Sequence, residues 1–309
     1  MTTTSQIDVD SATVTRIIRI EASPELVWAA LTTPEHIARW FGQRADFPDG
    51  VHPGATGSFG WTEHGDFPVR IEAFEPFSRF AFTWGTPGEE IREDNATTAT
   101  FTLTAHADAT ELTVVEAGFD TLSGDLARQR AAMEGNAEGW VAELDELHAH
   151  VLELRDGTDP VSDLERGTIT HSVLVDAEQA SVWAALTTPE AIAVWWEHPA
   201  VFPDGVVPGS LGTFEWTGHG LFPVLIDRVE QPDRFAFTWG EVGESEPGPT
   251  ATHVTFSLAP AGSGRTLLTV VETGFDHREA ADRRAAIEGN VEGWRAVLAS
   301  LQRHLQGRG

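Results

Sequence analysis

Two acidic residues and two amides are the side chains of this sequence best suited to chemistry. Glu116 and Glu272 stand near the end of matching β-branched segments, "LTVVEAGF" and "LTVVETGF". Asn136 and Asn290 stand in "EGNAEGW" and "EGNVEGW". On an inward strand face each glutamate would be a buried acid, able to act as a base or to anchor a ligand. The alternation leaves that face open, because the intervening threonine and valine also suit burial. A buried amide needs a partner, either a strand carbonyl or a ligand.

Aromatic residues accompany these polar groups and suit two roles. Most aromatic side chains fill a core, but ligand pockets are also mainly apolar with a few polar groups. Both interpretations stay open at this point. The predicted ligand-binding residues are Trp40, Phe41, Trp61, Trp84, Glu116, Met133, Asn136 and Trp140 in the first half of the chain and Trp195, Trp196, Trp216, Trp239, Glu272, Ile287, Asn290 and Trp294 in the second.

The glycines beside the two amides are unfavourable inside a predicted helix, and their presence needs an explanation. Gly135 and Gly139 lie four residues apart in a predicted helix, and the second half of the chain repeats them. Each costs about 1 kcal/mol relative to alanine in a helix interior. A missing side chain either lets a strand or helix approach closely or leaves space for a pocket, and the sequence favours neither strongly.

No catalytic or metal-binding motif accompanies these residues. The absence of cysteine excludes disulfides, thiolate metal sites and a cysteine nucleophile. The 12 histidines show no His-x-x-x-His spacing, and His64 and His219 fall in predicted hairpin loops, where a histidine is usually incidental. Nucleophile-elbow, phosphate-loop and dinucleotide motifs are absent from the sequence. We therefore predict no catalytic residue, no metal and no cofactor.

Charge and hydropathy narrow the choice of partner and compartment. The formal net charge is −28, and all 20 basic residues are arginine. So acidic a chain repels phosphate backbones, which argues against a nucleic-acid partner. No run of about 18 apolar residues and no apolar leader segment is visible, so we expect no membrane span and a cytoplasmic protein.

The chain is an internal duplication. "VWAALTTPE" at 27–35 recurs unchanged at 182–190, and "RFAFTWG" at 79–85 recurs at 234–240. So long a period indicates two whole domains rather than a solenoid. The polar, turn-rich stretch 155–167 is typical of a linker. The sequence therefore predicts one domain over 12–154 and another over 168–306.

Each repeat predicts the same order of elements. The alternating, β-branched stretch 12–22 is typical of a strand. Ser23 and Pro24 suit the start of a short helix, and Thr33-Pro34 suits the start of a second. Strands joined by short loops then follow in "GSFGWT", "FPVRIEAFE", "RFAFTWG", "ATTATFTLTA" and "TELTVVEAGF", which predicts an antiparallel sheet. A long helix over 123–154 carries an apolar stripe that must be buried against that sheet.

The motifs resemble a known superfamily. "VWAALTTPEHIARWF", "FPDGVHPGATGSFGW", "RFAFTWG" and "EGNAEGWVAELDELHAHV" are similar to SRPBCC (START/Bet v 1-like) sequences, and most similar to the branch named for the C-terminal domain of the activator of Hsp90 ATPase. The resemblance covers nearly all of both repeats. It implies an α+β fold with tandem helix-grip domains, each a curved antiparallel sheet wrapped around a long C-terminal helix, with two short helices after the first strand. Family members often carry His-x-Gly where this chain has Glu116 and Glu272.

Three functions remain open. The first is a soluble binding protein for small hydrophobic or aromatic ligands, with one pocket between sheet and long helix in each domain. The second is a protein-interaction module such as a co-chaperone, in which two tethered domains could gain avidity on a chaperone partner. The third is a cyclase- or hydrolase-like enzyme, which needs a polar pair in the pocket, such as Glu116 with Asn136.

Overall fold

The computed structural model of the chain describes residues 5–157, 160–216 and 218–307. The chain divides into two compact units, Met1–Arg155 and Asp156–Gly309, called domain 1 and domain 2 below. The division falls at the start of the segment predicted as a linker.

Domain 1 contains one eight-stranded antiparallel sheet. The first long strand pairs with the last one, so the sheet follows the order β1-β2-β8-β7-β6-β5-β4-β3. A register shift in β5 between Ile71 and Ala73 marks a bulge, which bends a sheet. The strands are β1 (Gln6–Asp8), β2 (Thr13–Ile20), β3 (Arg44–Asp46), β4 (Thr56–Trp61), β5 (Gly65–Glu75), β6 (Arg79–Gly85), β7 (Ala96–Ala105) and β8 (Thr110–Ala117).

Three helices complete domain 1: α1 (Pro24–Thr32), α2 (Pro34–Trp40) and α3 (Leu126–Asp156). The predicted start of α1 is confirmed, since the Ser23 hydroxyl accepts a hydrogen bond from the Leu26 N–H at 3.3 Å. The long helix begins three residues later than predicted, because the Asp125 carboxylate accepts the Arg128 N–H at 2.9 Å and so caps the helix there.

Domain 2 repeats this architecture with sheet order β11-β12-β13-β14-β15-β16-β10-β9. The segment predicted as a linker is only partly irregular, since β9 pairs with β10 in the register Ile169 opposite Ser162. The elements are β9 (Val161–Asp163), β10 (Thr168–Val175), α4 (Gln179–Thr187), α5 (Pro189–Trp195), β11 (Ala200–Val201), β12 (Leu211–Trp216), β13 (Gly220–Glu230), β14 (Arg234–Trp239), β15 (Thr252–Pro260), β16 (Thr266–Thr273) and α6 (Ala280–Gln306), with a short 3-10 turn at Phe275–His277.

The core of each domain lies between the sheet and the long helix. In α3 the buried residues include Met133, Trp140 and Leu144, which recur at helical spacing along one face. In α6 the matching face buries Ile287 and Trp294. The predicted α+β class, with a sheet wrapped around a long C-terminal helix in two tandem copies, is confirmed. Among the described residues, no helix combines the length and the apolar character needed to cross a membrane.

Candidate ligand-binding site

A buried carboxylate joins the long helix of domain 1 to its sheet. Glu116 lies on the inner face of β8 with no exposed surface, which settles the face that the sequence left open. Its Oε1 accepts hydrogen bonds from Trp84 Nε1 at 2.9 Å, Thr97 Oγ1 at 2.6 Å and Asn136 Nδ2 at 2.8 Å, and its Oε2 accepts one from Trp140 Nε1 at 2.7 Å. Trp84 and Thr97 are register partners on β6 and β7, and the two helical donors lie four residues apart on one face of α3.

Domain 2 builds the same centre around Glu272. Thr252 Oγ1 donates to Oε1 at 2.7 Å, Trp294 Nε1 donates to Oε2 at 2.7 Å, and Asn290 Nδ2 reaches both oxygens at 2.9 and 3.0 Å. Burial raises the pKa of Glu272 above its ordinary value, although these hydrogen bonds favour the carboxylate. In the described part of the chain, the Trp239 indole makes no hydrogen bond to Glu272, unlike its counterpart in domain 1.

A cavity lies beside the carboxylate in each domain. Its volume is about 290 Å³ in domain 1 and about 270 Å³ in domain 2. The two cavities occupy equivalent places between the sheet and the first half of the long helix. Their shared walls are Phe67, Trp84, Thr97, Phe119, Ala132 and Asn136 in domain 1 and Phe222, Trp239, Thr252, Phe275, Ala286 and Asn290 in domain 2.

The remaining polar wall residues differ between the two cavities. Domain 1 contributes Asp94 and Arg128, whereas domain 2 contributes His219 and an ion pair between Arg278 and Glu241. Glu272 itself lines the cavity of domain 2. The two sites thus share an apolar frame and differ in the charges that a ligand would meet.

Domain 2 has a second, smaller chamber of about 40 Å³. Three residues, Trp216, Trp239 and Asn290, line both this chamber and the main cavity, so the two spaces adjoin. The other walls are Trp196, Gly289, Gly293, Trp294 and Val297.

Domain 1 fills the equivalent positions differently. Phe41 replaces Trp196 and stacks on Trp140, with ring centroids 5.5 Å apart and an interplanar angle of 8°. Glu143 replaces Val297. Burial raises the pKa of Glu143 to about 8, with a smaller contribution from the nearby Glu146 and an opposing one from a hydrogen bond with the Trp61 side chain.

The paired glycines open space rather than permit close packing. A Cβ atom added at Gly135, Gly139 or Gly289 would meet no heavy atom within 4 Å. At Gly293 it would lie 3.7 Å from Cη2 of Trp216, an ordinary van der Waals distance. In domain 2 two of these glycines line the smaller chamber.

The predicted ligand-binding residues divide between cavity walls and core. Glu116 lies fully buried beside its cavity, and Trp61 is half-buried against Phe41 and Trp84. The wall residues are Trp84, Asn136, Trp196, Trp216, Trp239, Glu272, Asn290 and Trp294. The residues packed in the core are Trp40, Phe41, Met133, Trp140, Trp195 and Ile287.

Two core tryptophans have their polar atoms satisfied by the backbone. Trp40 Nε1 donates to the Ala30 carbonyl at 3.0 Å, and Trp195 Nε1 donates to the Ala185 carbonyl at 2.8 Å. Sequence reasoning missed Thr97 and Thr252, which donate to the buried carboxylates. The signal for both was present, since the threonines recur at matching places in the two repeats.

Domain 1 also contains two polar pairs away from the cavity. His36 Nδ1 and His150 Nε2 lie 3.1 Å apart. Burial lowers the pKa of both imidazoles, that of His150 to about 4. Arg16 is 1% exposed and its guanidinium contacts the Asp145 carboxylate at 2.7 Å. Within the described ranges, no group of three or more histidine or acidic side chains could hold a metal ion.

Comparison with protein families now gives a family for this architecture. The model of the family described as "Activator of Hsp90 ATPase homolog 1-like protein" matches residues 21–151 and again residues 176–306. The chain belongs to this family. The resemblance of the sequence to this branch, in two tandem copies, is thereby confirmed. No curated protein matches the chain.

Several solved structures are similar to this activator of Hsp90 ATPase homolog 1-like chain at low sequence identity. DynU16, a protein of the dynemicin biosynthetic locus, is 21% identical over 94% of this chain and 98% of its own, with a TM-score of 0.37. The di-domain ARO/CYC protein BexL of the BE-7585A biosynthetic pathway is 14% identical over 95% and 98%, with a TM-score of 0.40. The Aha1 dimer from Colwellia psychrerythraea is 20% identical over 45% and 95%, with a TM-score of 0.37. Likeness at this level says nothing about what this chain binds.

Proposed function

We propose that this chain binds small hydrophobic or aromatic molecules in the cytoplasm, at one site per domain. The observation that carries the proposal is the recurrence of a cavity of nearly the same volume, about 290 and 270 Å³, at equivalent positions of both domains. Binding sites are concave, mainly apolar and equipped with a few polar groups. The cysteine-free sequence suits a reducing compartment.

The walls indicate which ligand fits. Phe67, Trp84 and Phe119 offer aromatic surface in domain 1, and Phe222, Trp239 and Phe275 do so in domain 2. Such rings favour flat or aromatic partners in stacked or edge-on contact. Both volumes lie near the lower end of the range for small-molecule sites, so the ligand is small.

The buried carboxylate centres hold the walls in place. Asn136 and Trp84 line the cavity and at the same time donate to Glu116. Their side chains are therefore fixed before a ligand arrives, which lowers the entropic cost of binding. Thr97 and Thr252, bonded to the same centres, are cavity walls as well.

The test is a titration of the full chain with the neutral, environment-sensitive fluorophore 6-propionyl-2-(dimethylamino)naphthalene. Ala132 and Ala286 line the two cavities, so Ala132→Phe and Ala286→Phe should each remove one of two binding sites. Matched controls are Ala131→Phe and Ala285→Phe, which change the exposed neighbour on the same helix and should leave two sites.

Native mass spectrometry of the freshly purified chain complements the titration. A molecule retained at two copies per chain, and at one copy in either cavity-filled variant, would support the proposal. Unchanged stoichiometry in both cavity-filled variants would contradict it.

A further inference from the structure

Two adjacent tryptophans of domain 2 differ in what their indole N–H groups bind. Trp195 donates to the Ala185 carbonyl at 2.8 Å. Trp196 is 5% exposed, and its buried Nε1 has no hydrogen-bond partner among the described residues. Buried donors are almost always satisfied, because an unmade hydrogen bond leaves the full cost of desolvation uncompensated.

Trp196 is a wall of a space next to the main cavity, although its Nε1 itself has no accessible surface there. Trp196 is a wall of the 40 Å³ chamber, which shares Trp216, Trp239 and Asn290 with the cavity of about 270 Å³. A ligand that fills the main cavity is therefore within reach of the chamber. Gly289 and Gly293, which also line it, contribute no side chain that would close it.

Water is a poor permanent partner for this donor. The chamber has room for a water molecule. An ordered buried water, however, normally makes about three hydrogen bonds. Four tryptophans, two glycines and a valine form most of the wall, and Nδ2 of Asn290 already donates to Glu272, which leaves its Oδ1 as one side-chain partner for a water. A ligand oxygen can therefore replace a weakly held water in the chamber at low cost.

We propose that the Trp196 ring turns when a ligand enters domain 2 and that its indole N–H then anchors a carbonyl oxygen of an aromatic ligand. This inference rests on the proposed function and names the ligand class of the second site. The aromatic body occupies the main cavity, and the carbonyl group enters the smaller chamber. Domain 1 has Phe41 at this position, which offers no donor, so its site recognises the same aromatic body without preferring the carbonyl.

The experiment compares 2-acetylnaphthalene with 2-isopropylnaphthalene, which has nearly the same shape but no acceptor oxygen. Affinities are measured by displacement of the naphthalene fluorophore from the full chain carrying Ala132→Phe, which restricts binding to domain 2. One hydrogen bond to a buried donor predicts about tenfold tighter binding of the acetyl compound. Trp196→Phe should reduce the preference to less than about twofold.

The neighbouring tryptophan provides the matched control. Trp195→Phe removes an indole N–H that already has a backbone partner, so it should leave the preference for the acetyl compound unchanged. In the full chain carrying Ala286→Phe, binding is confined to domain 1. Because Phe41 offers no donor there, we expect no preference for the acetyl compound.

The outcomes separate the two proposals. If neither compound binds the unsubstituted chain, the proposed function fails and this inference fails with it. If both bind with equal affinity, or if Trp196→Phe keeps the preference, the inference is overturned while the proposed function stands. Should Trp196→Phe fold poorly, the indole N–H resonance assigned to Trp196 in the unsubstituted chain decides. It should shift on addition of the acetyl compound and stay in place with the isopropyl compound, and an equal response to both would overturn the inference.

Discussion

Positions 41 and 196 hold equivalent aromatic rings in the two domains, but only the second ring carries a hydrogen-bond donor. The same contrast holds around them. In domain 1 the Trp84 indole donates to Glu116, and Trp61 hydrogen bonds with Glu143. In domain 2 the corresponding Trp239 makes no hydrogen bond to Glu272 among the described residues, and Val297 takes the place of Glu143 beside Trp216.

The contrast shows how a duplicated fold can provide two different sites. The Glu116 and Glu272 centres fix the helix to the sheet in both copies, so the frame is preserved. Changes at a few wall positions, from glutamate to valine and from phenylalanine to tryptophan, then decide whether polar atoms are satisfied by the protein or are left for a ligand.

The largest expected effect is at the carboxylate centres. Glu116→Leu leaves four buried or half-buried donors without an acceptor, and we expect a loss of about 4 kcal/mol in the unfolding free energy of domain 1. Glu272→Leu leaves three donors without an acceptor. Because the raised pKa of Glu272 indicates a less stabilised carboxylate, domain 2 should lose about 3 kcal/mol in unfolding free energy. Hydrogen exchange during a urea titration separates the two domains.

Glu111→Leu is the control for this comparison. Glu111 lies on the outer face of the same strand as Glu116, and its replacement should change stability by less than about 0.5 kcal/mol. Equal losses for Glu116→Leu and Glu272→Leu would remove the energetic difference between the domains.

The second expected effect is acid sensitivity of domain 1. Burial lowers the pKa of His150 from 6.5 to about 4. Arg39 adds to the shift, and Glu153 lies 3.9 Å from Nδ1. Below pH 6.5 this histidine becomes protonated in the unfolded chain, whereas in the folded chain it stays neutral until about pH 4. The stabilisation of the folded state is therefore complete above pH 6.5 and is lost progressively as the pH falls towards 4. The loss is about 3 kcal/mol.

The double variant His36→Ala, His150→Leu should reduce the loss of domain 1 stability between pH 6.5 and pH 4. Its first change copies Ala191, the equivalent residue of domain 2. His148→Gln is the control, because this imidazole is 39% exposed beside Glu21, whereas His150 is buried. The same loss of stability between pH 6.5 and pH 4 in the double variant would show that other groups cause the acid sensitivity.

The smallest expected effect concerns the glycines. No heavy atom lies within 4 Å of a Cβ added at Gly135 or Gly289. Alanine at either position should therefore stabilise its domain by up to about 1 kcal/mol in thermal unfolding. Only Gly289→Ala narrows the chamber of domain 2, so it alone should weaken binding of 2-acetylnaphthalene. Destabilisation by either variant would reveal tight packing at that glycine.

The sequence predicted the long, regular elements well because their signals are local. The alternation of side-chain types predicted both ends of β6 and β7 correctly, and Ser23 predicted the start of α1. The short edge strands β1, β3, β9 and β11 were missed, because two or three residues carry too little pattern and their pairing depends on residues distant in sequence. The helix start at Leu126 depends on the cap that Asp125 forms, a choice that the nearby Ser123 made ambiguous.

The candidate site was predicted in its residue types but not in its geometry. Glu116, Asn136 and Trp140 were all selected from the sequence. Only the pair of Glu116 with Asn136 was considered from the sequence. The full centre was not predicted, because both faces of β8 carry residues suited to burial and the partners of Glu116 come from three other elements. The orphaned indole of Trp196 was equally out of reach, since a missing hydrogen bond has no sequence signature.

The contact between buried Arg16 and exposed Asp145 has a consequence for how the tandem chain reaches its native state. In each repeat the first long strand must find the last one, β2 with β8 and β10 with β16. Similar repeats in one chain invite a mispaired hybrid in which a strand of one repeat completes the sheet of the other. Arg16 occupies the place of His171, and Ala299 occupies the place of Asp145. In a hybrid with β2 against β16, Arg16 would thus lie near an alanine instead of Asp145, which we expect to disfavour that pairing. We therefore expect one ion pair in one repeat to favour native strand pairing during folding.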